Sequence, residues 1–283
     1  MSSTVIPEVS VDEAHAAVGG SGRSWQRWAL LAVGLALALS LPWVIYPPVA
    51  MDIAAMALFA IALDILLGYT GLLSFGHAAF WGGSAYATGL VAIHLGVPFP
   101  LAVLAGALFA MILAVPIGYL SVRRSGIYFA MVTLAFAQMV YFIAYQWNSV
   151  TGGENGLQAV PKSFFGIDLV ETDSFYFYYA ALPIILLGMW AAWRIVHSPF
   201  GRVLVAIRDN APRARALGYD VERYKVIAFV LSAGLAGLAG GVFAISHGFV
   251  ALPDLHWTTS GEVVLITVLG GIGTLWGGIL GAF

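Results

Sequence analysis

The sequence predicts an all-α protein threaded repeatedly through a membrane, and three observations predict it. The 283 residues are 61% hydrophobic and only 9% charged, against about 25% charged residues in an ordinary soluble domain. The apolar residues gather into runs long enough to cross a bilayer, which takes roughly 20 residues in a helix. Finally, the basic residues fall where alternate crossings would place them on one side.

In chain order, the first 24 residues are polar, carrying Glu8, Asp12, Glu13 and Arg23. They lack the basic start and apolar core of a cleaved signal, so residues 1–25 read as a disordered cytoplasmic tail. Eight spans follow: 27–46, 49–67, 76–95, 99–120, 126–146, 174–193, 226–250 and 261–283. With Arg23 and Arg27 inside, Arg123 and Arg124 also fall inside. The loop 147–173 then lies outside, with Glu154, Asp168, Glu171 and Asp173 against Lys162 alone. The loop 197–225 lies inside and holds Arg202, Arg208, Arg213, Arg215, Arg223 and Lys225, half of the 12 Lys and Arg residues. This distribution is the positive-inside bias. The chain stops at Phe283 within an apolar run, which leads us to expect a further C-terminal helix.

Two segments are too rich in glycine for ordinary spans: Gly68–Gly83 (GYTGLLSFGHAAFWGG) and Gly270–Gly278 (GGIGTLWGG). Glycine costs about 1 kcal/mol in a helix interior relative to alanine. Non-helical backbone at membrane depth survives only where protein or water covers it. The first segment adds polar groups, so Gly68, Tyr69, Thr70, Gly71, Ser74, Gly76 and His77 are candidates for a broken helix along a translocation path. For the second, broken helix and close small-residue packing stand as equal alternatives.

Chemistry-bearing residues are few. The chain has no cysteine, and His77, His94, His197, His247 and His256 have no metal-ligand spacing. They read as packing or interface residues, and no metal site is expected. No phosphate-binding loop, nucleophilic triad or paired-carboxylate site is present in the pattern, so the chain is not expected to be an enzyme. Asp52, Asp64 and Glu262 lie in or near spans; Asp52 and Glu262 read as solvated at span ends, and Asp64 lies near a cytoplasmic end. In the external loop, Gly152, Gly153, Glu154 and Asn155 form tight turns and are candidates for docking a soluble partner.

The cytoplasmic loop contains a short helix of its own. Asn210 suits an N-cap and Pro212 the first turn, and Gly218 can take the left-handed conformation that ends a helix. Two turns are too short to be stable alone, so the helix needs a surface. Arg213 and Arg215, two positions apart, cannot share a face.

Taken together, GYTGLLSFGHAAFWGG (68–83), SGIYFAMVTLAFAQ (125–138), TGGENGL (151–157), the stretch from Ser198 to Gly241 and Gly261–Gly278 resemble the LivM-type permease subunits of branched-chain amino acid ABC importers. The resemblance runs from about residue 50 to the end and would make 26–283 an importer transmembrane domain in a bacterial or archaeal inner membrane, with the N-terminus cytoplasmic. It implies a LivH-type second permease, two cytoplasmic ATPase subunits holding ATP and magnesium, an external solute-binding protein, membrane lipid and no nucleic acid. Solute would move inward by alternating access: branched-chain amino acids, or a related small polar solute such as urea or a short amide. The loop 197–225 would couple to the ATPases through Asn210, Pro212, Arg213, Ala214, Arg215 and Gly218. The family signature Glu-Ala-Ala, followed three residues later by Gly, is degenerate here. Pro212 and Arg213 stand where Glu and Ala belong, and only Ala214 and Gly218 agree. Arg213 or Arg215 is then the expected ATPase anchor. A stand-alone channel, an ion-coupled transporter and a non-transporting scaffold are the competing readings; each would leave Asn210–Gly218 without a role in ATP-driven flux.

Overall fold

The computed structural model describes residues 34, 36, 38–164, 167–168 and 174–283. The tail expected over 1–25, the start of the first span and part of the external loop lie outside the described residues. The chain divides into two units, Met1–Ile45 and Tyr46–Phe283. In the first, residues 38–44 are helical.

The second unit is a helical bundle. Its elements are α1 (Pro47–Thr70), α2 (His77–Leu95), α3 (Phe99–Ser121), α4 (Ile127–Gln146), the single turn α5 (Asn148–Thr151), α6 (Ser174–Val196), α7 (Pro199–Ala216), α8 (Val221–His247), α9 (Trp257–Gly270) and α10 (Gly277–Ala282). Two 3-10 turns, Gly153–Asn155 and Leu252–Leu255, and a two-residue hairpin, β1 (Ser163–Phe164) with β2 (Ile167–Asp168), decorate the loops. α1, α3, α4, α6 and α8 are long and apolar enough to cross a bilayer. These five match the spans expected over 49–67, 99–120, 126–146, 174–193 and 226–250 to within about five residues, and α2 matches the limits expected over 76–95 though it is not among the five.

The run expected over 261–283 is not one span. α9 has 14 residues, about 21 Å at 1.5 Å per residue, too short to cross. The chain then breaks over 271–276 before the short α10. The glycines there serve both readings left open by the sequence. They break the helix, with Gly271 and Gly273 at φ +103° and +78°, and they pack closely, since a Cβ on Gly270 would lie 1.9 Å from the Gly277 carbonyl oxygen.

α8 is the centre of the bundle, packed on α1, α2 and α3. It approaches its neighbours backbone to backbone through small residues, as membrane helices do where lipid supplies no hydrophobic drive. Ser84 of α2 donates to the Gly237 carbonyl of α8 at 2.6 Å. At Gly240 a Cβ would lie 2.2 Å from the Trp81 carbonyl oxygen and 3.0 Å from its Cα. Neither can retreat without unseating α2. Gly240→Val is therefore expected to cost more than about 3 kcal/mol, the upper range for ordinary overpacking. The measurable result is loss of the monodisperse detergent-solubilised protein on size-exclusion chromatography.

The helices' outward faces are apolar: Leu101, Leu104, Leu108, Ile112 and Val115 of α3 are all exposed. This is the pattern of a surface that meets hydrocarbon or other apolar protein.

Candidate functional site

Three segments far apart in sequence meet where α1 ends. Asp64, in the penultimate turn of α1, is only 2% exposed. Its two carboxylate oxygens accept from the backbone N–H groups of Gly273 (2.7 Å) and Leu275 (3.0 Å). One side chain thus holds the break between α9 and α10. Leu275 sits at φ +61°, a left-handed conformation that non-glycine residues rarely adopt, and the Asp64 contact fixes it there.

One helical turn beyond Asp64, Gly68 leaves room for this contact. A Cβ at that position would lie 2.3 Å from Asp64 Oδ1 and 2.5 Å from Gly273 N. The Gly68 carbonyl belongs to the last turn of α1 and has no acceptor role within the helix. It accepts instead from the Arg208 guanidinium of α7 at 2.5 Å. The stem of Arg208 also lies against Gly71, whose Cβ position is 3.0 Å from Arg208 Cγ. Arg208 is simultaneously paired with its neighbour Asp209 at 3.1 Å.

α7 carries this arginine on an amphipathic helix. It starts with Ser198 as N-cap, whose hydroxyl accepts from Gly201 N at 3.3 Å. The helix changes direction at Asn210 (φ −158°, ψ 90°), and there the Asn210 side chain accepts from Arg213 N at 2.9 Å. The capped second helix expected from the sequence is present, and it ends at Gly218 with φ +92°. Ile207 and Ala214 bury against Val221 at the start of α8, with Val203, Ala211 and Tyr224 around them. That supplies the surface two turns need. Pro212, Arg213, Arg215 and Leu217 remain exposed, Leu217 at 73%.

The remaining path candidates lie deeper. After α1 the chain runs without helix through 71–76, back into the bundle. Phe75 N donates to Thr133 Oγ1 of α4 (3.2 Å), and Gly76 N to Ser74 Oγ (3.2 Å). His77, fully buried, opens α2 halfway along its neighbours. Its Nε2 is 2.8 Å from Ser232 Oγ in the middle of α8, and Ser232 donates to the Ala62 carbonyl of α1. Since that hydroxyl hydrogen is committed to Ala62, the Ser232 oxygen accepts from Nε2–H. Ala78 N donates to Ser260 Oγ of α9 at 2.8 Å. The structure therefore brings Gly68 and Gly71 together with α7 and the 271–276 break. It places Ser74, Gly76 and His77 in a separate buried knot. Tyr69 and Thr70 complete the end of α1, where Thr70 Oγ1 donates to the Ile65 carbonyl at 2.9 Å.

The 151–157 motif is tied to the other end of α9. Thr151 Oγ1 donates to the Ala144 carbonyl (2.5 Å), and Leu157 pairs with Val250 through two backbone hydrogen bonds of 3.0 and 2.8 Å. Val250 lies on the connection from α8 to α9, which carries Leu255 against Gly82 of α2. Nearby, Asp52 and His247 pair at 3.6 Å, at the N-terminal end of α1 and the C-terminal end of α8. Glu154 lines a shallow polar hollow with Tyr145, Gln146 and Asn148. Lys162 stands over the Phe177 ring at 5.5 Å, and burial there pushes its ammonium below the usual lysine range.

Sequence reasoning missed Asp64 as a hub and Arg208 as a contact. The one available signal was a glycine four residues after the carboxylate, where a helical neighbour would otherwise fill the space.

The fold and this site define a multi-pass, all-helical membrane protein with helices broken at membrane depth. Residues 48–283 match the family described as branched-chain amino acid transport system / permease component, and the chain belongs to that family. It is 31% identical, over 91% of its length, to the high-affinity branched-chain amino acid transport system permease protein LivM of Salmonella typhimurium (strain LT2). It is equally similar to the protein of the same name from Escherichia coli (strain K12). The chain spans 66% of the length of each of these two relatives. Over 107 residues, 36% of this chain and 32% of the relative, it is 41% identical to the autoinducer 2 import system permease protein LsrC of Photorhabdus laumondii. No solved structure matches the chain.

Proposed function

We propose that the protein is the permease subunit of an ABC importer that moves branched-chain amino acids, or a related small polar solute, into the cytoplasm. Membership of the permease family supports this reading. The observation that carries its mechanism is the Arg208–Gly68 contact, which joins the cytoplasmic helix α7 to the broken end of the transmembrane bundle. Two partner ATPase subunits, binding ATP and magnesium, push on the exposed face of α7 at Pro212, Arg213, Arg215 and Leu217. Arg208 passes that displacement to the end of α1, and Asp64 passes it to the 271–276 break. A soluble binding protein docks outside on Gly152, Gly153, Glu154 and Asn155, and the Leu157–Val250 pairing relays its arrival to α9. A LivH-type second permease completes the membrane domain, and the N-terminus lies in the cytoplasm of a bacterial or archaeal cell.

The relatives' names point to more than one solute, so uptake decides the substrate. Vesicles carrying the chain with its candidate partners should accumulate labelled leucine only when ATP and a binding protein are both present, with urea as the comparison solute. Flux indifferent to ATP would instead identify a channel or an ion-coupled transporter.

A further inference from the structure

Glu262 stands at a depth where an exposed carboxylate needs an aqueous or charged neighbour. α9 lies against the middle of the bundle: Thr267 Oγ1 reaches the Ala60 carbonyl of α1 at 3.4 Å, and Ser260 Oγ accepts from Ala78 N at 2.8 Å. The adjacent His77 meets Ser232 in the middle of α8. Glu262 lies between these two contacts, two residues after Ser260, and so at mid-bundle depth. α9 starts so deep because the connection after α8 descends into the bundle, carrying Leu255 against Gly82 and Ser260 against Ala78 N.

Glu262 is nonetheless exposed, and it makes no ion pair among the described residues. A carboxylate facing hydrocarbon at the bilayer centre costs about 2.5–3.5 kcal/mol even on insertion scales. The exposed face of α3 is apolar, whereas that of α9 is mixed, with Leu265, Val268 and Leu269 exposed beside Glu262. Toward the start of α9 its neighbours are polar. Thr258, one turn earlier, is exposed, and its hydroxyl meets His256 Nδ1 at 3.0 Å. The His256 ring packs on Tyr141 of α4 at 5.2 Å. Behind them Tyr86, 5% exposed, lies within electrostatic reach of Asp254 and Tyr141 with its hydroxyl unpartnered. One turn further along the same face, Leu265 is 62% exposed.

We propose that Glu262 is a solute-contacting residue whose carboxylate takes the α-ammonium of an amino acid in transit, with Leu265 beside its aliphatic side chain. A carboxylate is acceptor-only, so the group it selects is a cation or donor. An amino acid with an apolar side chain presents an ammonium and a hydrocarbon branch a few ångströms apart, as Glu262 and Leu265 do along one helical face. This inference rests on the amino acid importer reading.

The test uses the complete importer in vesicles. The chain contains no cysteine, so Glu262→Cys introduces its single thiol. The charged, membrane-impermeant reagent 2-(trimethylammonium)ethyl methanethiosulfonate should modify this variant at least about tenfold faster than Leu108→Cys on the apolar face of α3. In parallel, Glu262→Gln should assemble, retain ATP hydrolysis stimulated by the binding protein, and lose leucine uptake about tenfold, the scale of one charge-assisted hydrogen bond. A thiol at 262 that stays unreactive in the assembled importer would overturn the proposal and assign Glu262 to a subunit contact. Wild-type uptake by Glu262→Gln would overturn it as well. Failure of the importer reading is separate, because it appears as absence of leucine uptake in the wild-type complex.

Discussion

Asp64→Ala is expected to abolish ATP-driven uptake while the protein still inserts in the membrane. The substitution removes both acceptors from Gly273 N and Leu275 N. Each is a charge-assisted hydrogen bond of about 1.5–3 kcal/mol, so the loss is roughly 3–6 kcal/mol. That energy is concentrated on six residues of non-helical backbone, and Leu275 has no other reason to remain at positive φ. The 271–276 break should then relax independently of α1. Global packing is carried elsewhere, by α8 against α1, α2 and α3, so size-exclusion behaviour should survive. Uptake of labelled leucine in vesicles, measured beside the elution profile, separates the two. A variant with normal uptake would remove Asp64 from the transport cycle.

Arg208→Ala is the second large effect, and it differs in kind. α7 keeps its caps at Ser198 and Asn210 and its buried residues Ile207 and Ala214. The variant should therefore still bind partner ATPases and support hydrolysis. What disappears is the donor to the Gly68 carbonyl and the stem lying on Gly71. Uptake should fall about tenfold or more, the scale of losing one hydrogen bond to a charged group. Arg208→Lys should restore only part, since an ammonium lacks the planar fork that serves Gly68 and Asp209 together.

Much of the bundle is legible in the sequence because hydrocarbon imposes a simple rule on it. A run of roughly 20 apolar residues must be helical to satisfy its own backbone, and α3 and α4 begin and end where that rule places them. Capping chemistry is equally local, so Asn210 and Gly218 could be read from their neighbours alone. The last span could not. Hydropathy is blind to depth, and the apolar connection 248–256 descends into the bundle without leaving a mark in composition. Glu262 consequently read as a solvated span end, whereas the structure sets it two residues after Ser260, which caps the mid-bundle start of α2.

The junction at Gly68 was half visible. Both glycine-rich segments stood out, but nothing local links Asp64 to residues 273 and 275, more than 200 positions later. Arg208 was hidden by its company, one basic residue among six in a loop where positive charge already has an explanation. The exposed Arg213 and Arg215 drew attention because they lie within and beside the degenerate signature. Arg208 reaches the bundle because it lies one turn after the buried Leu204, on the side of α7 that faces α1.

The proposed transfer of motion from α7 to the broken helix end through Arg208 is read out as leucine imported per ATP hydrolysed, in vesicles containing the assembled wild-type or Arg208→Ala importer. Hydrolysis should run near the wild-type rate with import reduced about tenfold, so that the ratio collapses. An unchanged ratio, with both rates normal or both lowered together, would contradict it.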